Sequence, residues 1–149
     1  MNGMDNFYKT ALRTSKSSKT LHDNSEYFNA CYLGGYVVEC YSKILLKYAY
    51  SLTNEDLKKE FKHDLKRTTR EIEILRQDQT ISDLINPAYL IDLNNICNII
   101  ITGQNKWDPI KRYYNDETIW NDDTSIQYQH AINIVMDQIS LMKIDGIIQ

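Results

Sequence analysis

From His22 to Leu52 the chain reads HDNSEYFNACYLGGYVVECYSKILLKYAYSL, and this stretch constrains the fold more than any other. Asp23, Asn24 and Ser25 are good helix N-caps and Glu26 suits a first turn, so a helix is expected from there to about Ser51. It is apolar on most of its sides and needs cover from several other elements, which places it at the centre of a bundle. Two of its residues argue for a close contact. Gly34 and Gly35 each cost about 1 kcal/mol in a helix relative to Ala. The offsetting gain expected is close approach of a neighbouring backbone, so the pair marks a tight helix crossing. Glu39 and Lys43 lie four apart in the order that favours an ion pair. On a central helix that pair is at least partly buried, and Glu39 then needs a further cation, for which Arg112 is the favoured candidate. The alternative is a surface pair on one exposed edge of the helix.

The rest of the chain can supply the cover. Proline occurs only at Pro87 and Pro109, and apolar residues recur at three and four more often than at two, so the fold class is all-α. A first helix is expected from Asp5 to about Arg13, facing inward through Phe7, Ala11 and Leu12, followed by a polar connector, SKSSKT. Thr53-Asn54 restarts a helix with Glu55 and Asp56 in its first turn. Phe61, Leu65, Thr68, Ile72 and Leu75 form one stripe, with a break near Lys62–His63 allowed for. Asn86-Pro87 opens a further helix with Leu90, Leu93, Cys97 and Ile100/Ile101 inward and Gly103 at its end. After a long irregular segment, Asp122, Asp123 or Thr124 caps a last helix that buries Tyr128, Ala131, Val135, Ile139 and Met142. No repeat or linker divides residues 1–149, so one domain is expected.

Charge and motif content narrow the chemistry. Hydrophobic residues make up 42 %, charged residues 25 %, and the net charge is −3, so neither disorder nor an overall nucleic-acid-seeking surface is expected. Lys58, Lys59, Lys62, Lys66, Arg67 and Arg70 are interleaved with acids and read as a solvated mixed face. Cys31, Cys40 and Cys97 form no metal-ligand spacing and are expected as buried free thiols of a cytoplasmic protein. The N-terminus has no signal-peptide core, and no stretch suits a membrane crossing. No phosphate loop, nucleophile motif or metal-spaced set is present, so no metal and no cofactor is expected. His63 is expected to anchor a loop to the core, Asp64 to serve as a first-turn carboxylate, and Arg112 either to tie its segment to Glu39 or to meet a phosphate.

Three stretches together resemble the HEPN domains, helical domains named for higher eukaryotes and prokaryotes nucleotide-binding. Gly35, Tyr36, Glu39 and Lys43 resemble their central helix. His63, Asp64 and Leu65 match a Gly-His-Asp-Leu motif, with Lys62 in place of the glycine. Trp107, Arg112 and Tyr113 resemble a Trp followed by Arg-Tyr. The resemblance covers about residues 5 to 144 and implies an up-and-down bundle of four or five helices. One branch of that family consists of metal-independent ribonucleases marked by Arg, four to six residues, then His. His22, His63 and His130 do not follow an arginine at that spacing. The resemblance therefore implies the non-catalytic branch: binding modules that act as homodimers, as partners of nucleotidyltransferases, or within toxin–antitoxin and phage-defence loci, with a nucleotide or RNA as ligand. The alternative is a divergent ribonuclease that joins His63 to Arg112 or Arg67.

Overall fold

Helix α1 spans Met4–Asp23 and runs straight through the polar stretch expected to be a connector. Three of its hydroxyls find partners within the helix. Thr14 donates to Thr10 O at 2.7 Å, Ser15 to Leu12 O at 3.0 Å and Thr20 to Lys16 O at 3.1 Å, so they do not compete with the helical backbone. Met4, Ala11 and Ser18 recur every seven residues and are buried, and Ser18 donates to Ala30 O at 2.6 Å in the next helix. The computed structural model describes residues 4–78, 85–110 and 118–149.

Helix α2, Tyr27–Tyr50, is the expected central element. Every residue from Val37 to Lys47 is buried, and α1, α4 and α7 pack around it. Its start differs from expectation. Ser25 has φ +63° and Glu26 occupies the cap without a side-chain bond. Asn24 instead donates back to Thr20 O at 2.8 Å, so the capping residues close α1. Ser51 ends α2 with a left-handed backbone.

Helix α3 (Asn54–Glu60) opens with a capping box between Thr53 and Asp56. Helix α4 (Leu65–Gln77) is capped by Asp64, which accepts from the Arg67 N–H at 3.0 Å. All five residues of the stripe from Phe61 to Leu75 are buried, and the chain breaks between the two helices at Lys62, φ +47°.

The helix expected after Pro87 is broken up. Pro87–Tyr89 is a single 3-10 turn, followed by the short helices α5 (Leu93–Ile96) and α6 (Asn98–Ile101). The buried Tyr41 hydroxyl of α2 explains the interruption. It donates to Tyr89 O at 2.6 Å and accepts from the Ile91 N–H at 3.2 Å, bonds that replace helical ones. Leu93, Cys97, Ile100 and Ile101 are nevertheless in the core, and Leu90 is half-buried against it.

Helix α7 (Asp122–Ile144) is capped by Asn121, one residue before the expected set, whose Oδ1 accepts from the Thr124 N–H at 3.0 Å. Its expected inward residues, Tyr128, Ala131, Val135, Ile139 and Met142, are all buried. The described residues are thus helical or irregular, without a strand, and none of their helices is long and apolar enough to cross a membrane.

Candidate functional site

The two glycines of α2 make room for side chains: the atoms nearest to a Cβ added at either belong to side chains, not to a neighbouring backbone. A Cβ on Gly34 would collide with the end of Ile132 on α7 and lie 3.1 Å from Ser18 Oγ on α1. Gln129 of α7 donates to that same Ser18 at 2.7 Å, so three helices meet at Gly34. A Cβ on Gly35 would fall inside the Trp107 indole. Trp107 is held there by its Nε1–H, which donates to Tyr32 O at 2.8 Å.

One turn further along, α2 buries its charged pair. Lys43 Nζ donates to Glu39 Oε1 at 2.6 Å, and the two side chains are only 10 % and 7 % exposed. The second partner of Glu39 comes from the α3–α4 turn. His63 Nδ1 lies 3.0 and 3.1 Å from the two carboxylate oxygens. An ionised carboxylate only accepts, so His63 carries a proton on Nδ1. Its Nε2 has no partner among the described residues, on a side chain 59 % exposed. Arg112, the cation expected there, and Tyr113 lie outside the described residues.

An aromatic contact ties this node to Trp107. Tyr36 meets His63 edge-on at 6.4 Å and Trp107 at 4.8 Å between ring centroids. The structure therefore brings together Gly35, Tyr36, Glu39, Lys43, His63 and Trp107, six residues from three separate stretches of sequence. Asp64 stays with its own helix as a cap. Arg67 turns away from His63. It donates to Glu60 O at 2.5 Å and lies over the Phe61 ring.

His63 separates two open clefts. The larger, about 500 Å³, has Phe7 and Leu57 as an apolar floor and Lys43, Asn54, Lys58, Lys62 and His63 around it. The smaller, about 270 Å³, is lined by Lys66, Lys106, Asp64, Asp108 and Trp107 as well as His63. In the larger cleft Lys43 is answered by Glu39. Asn54 is held by Lys47, whose Nζ donates to its Oδ1 at 2.8 Å, and burial lowers the Lys47 ammonium against the opposing charge of Asp56. The ammonium groups of Lys58 and Lys62 make no hydrogen bond or ion pair among the described residues. All six residues of the basic stretch are exposed, as expected of a solvated face, and two of them, Lys58 and Lys62, border this open cleft. Sequence reading did not anticipate Phe7, Asn54, Leu57 and Lys58 as its walls, because the last three share a face of α3 while Phe7 lies on α1, remote in sequence. The signal that existed for His63 was the unmet need of a buried Glu39.

The cysteines lie elsewhere. Burial pushes the Cys31, Cys40 and Cys97 thiols up to about 12 each, which leaves them without thiolate character. Among the described residues no group of three or more ligating side chains could hold a metal ion. No protein-family model, curated protein or solved structure matches the chain.

Proposed function

We propose that the chain is a non-catalytic, HEPN-like cytoplasmic module that binds a nucleotide in the cleft between α1, α2 and α3. The carrying observation is the pairing of an apolar floor, Phe7 and Leu57, with two uncompensated ammonium groups and an oriented imidazole. A base suits the first and a phosphate the second, and a volume of about 500 Å³ is within the range of small-ligand sites. The HEPN reading is supported by the roles its motif residues play. Gly35 makes room for Trp107, Glu39 holds Lys43 and His63, Asp64 caps α4, and Leu65 is buried. By the same resemblance its partners are a second copy, a nucleotidyltransferase or a toxin–antitoxin or phage-defence protein. Titration with adenosine 5′-monophosphate is expected to give binding that weakens at high salt and is lost in H63A combined with K58A. Absence of binding by the folded wild type rejects the proposal.

A second reading is favoured by one observation. A carboxylate that fixes Nδ1–H leaves Nε2 as a base toward solvent, the arrangement of a general base and its orienting group. Single-stranded RNA incubated with the protein separates the two readings. Intact RNA supports the binding module, whereas cleavage abolished by H63A supports a divergent ribonuclease.

A further inference from the structure

We propose that Lys62 is a phosphate-contacting residue of the larger cleft, kept at a backbone position suited to glycine because its ammonium meets the ligand. The inference rests on the nucleotide-binding reading above and adds the residue that selects a phosphorylated ligand over a bare nucleoside.

Lys62 directly follows the Phe61 cap of α3. Its N–H donates to Leu57 O at 3.3 Å beside the Phe61 bond to the same oxygen, and its φ is +47°. This is the left-handed position after a helix, where glycine is usual because a Cβ is strained there. Two other non-glycine residues among those described have positive φ, Ser25 and Ser51. Both are small and polar. Lys62 is long, charged and β-substituted, so local conformation does not favour it. A helix C-terminus does favour a cation, but Lys58 and Lys59 already occupy the last turn of α3. What remains is the side chain's place in the cleft. There it stands with Lys58, four residues back, beside His63. Backbone strain retained at a cleft wall is the kind that functional sites keep.

The geometry divides the ligand's contacts. The apolar floor recognises the base and does not distinguish a nucleoside from its monophosphate. Lys58 and Lys62 recognise the phosphate dianion, whose charge-assisted bonds are the stronger ones.

The experiment titrates wild type, K62G, K62M and K62R with adenosine 5′-monophosphate and with adenosine, and records melting temperature. K62G is expected to melt about 2–4 °C higher, to bind the monophosphate about tenfold more weakly, and to leave adenosine binding unchanged. K62M is expected to lose the same affinity without the gain in melting temperature, and K62R to retain affinity. A K62G protein that binds the monophosphate as tightly as wild type, or that melts no higher, overturns the proposal while leaving the nucleotide-binding reading intact. Failure of wild type to bind either compound overturns both.

Discussion

At the scale of single residues, the clearest contrast is between the adjacent glycines. The atom that a Cβ on Gly34 would strike is the terminal carbon of Ile132, which can rotate away. The atoms facing Gly35 belong to a rigid indole fixed by a hydrogen bond to Tyr32 O. Alanine also recovers about 1 kcal/mol of helix propensity at either site. G35A is therefore expected to destabilise the protein by about 2–3 kcal/mol, and G34A by at least 1 kcal/mol less. Urea unfolding of the two variants measures the difference, and equal losses would contradict this account. The sequence showed that these glycines must offset their helical cost. It did not show whether backbone or side chain fills the space, because the fillers, Ile132 and Trp107, are far away in sequence and carry no pattern that points back to α2.

Elements differ in how far the sequence alone specifies them. Helix α7 was readable because one apolar face repeats through Tyr128, Ala131, Val135, Ile139 and Met142. The α3–α4 pair was readable because Thr53 and Asp56 form a capping box and the stripe from Phe61 to Leu75 crosses the break. Helix α1 was cut short in the sequence reading because serine and threonine suit both connectors and caps. Only the surrounding helix decides that their hydroxyls bond inward. The segment after Pro87 was read as one helix because its apolar spacing is helical. A hydroxyl from another element overrides that preference. Removing it should expose the conflict. Y41F leaves Tyr89 O and the Ile91 N–H without this partner, and a loss of about 1–3 kcal/mol is expected. Hydrogen exchange should localise the change to the Tyr89–Ile91 stretch. Protection there equal to wild type would show that the interruption has another cause.

For the molecule as a whole, the buried and bonded acids define a limit at high pH. The Asp145 carboxylate that accepts from the Tyr89 hydroxyl, aided by burial, raises Tyr89 from 10.0 to about 12. Burial raises the three thiols from 9.0 to about 12. In each case the folded chain holds a proton that the unfolded chain releases sooner. Their contribution is complete below about pH 9 and is lost as pH rises toward about 12. Burial also raises Tyr41, Tyr50 and Tyr128, and Lys47, lowered by burial, acts in the opposite sense to all of these. Denaturant midpoints should therefore fall steadily across that alkaline interval, and a flat profile would contradict the assignment. The candidate cleft was the least legible feature at this scale, since a concavity exists only once α1, α2 and α3 are assembled. The burial of α2 also bears on synthesis. Its apolar surface is shared between α1, which precedes it, and α7, which follows near the other end of the chain. At about 5–20 residues per second, a ribosome leaves one side of that helix uncovered for several seconds while the intervening segments emerge, the interval in which a nascent chain of this kind depends most on chaperones.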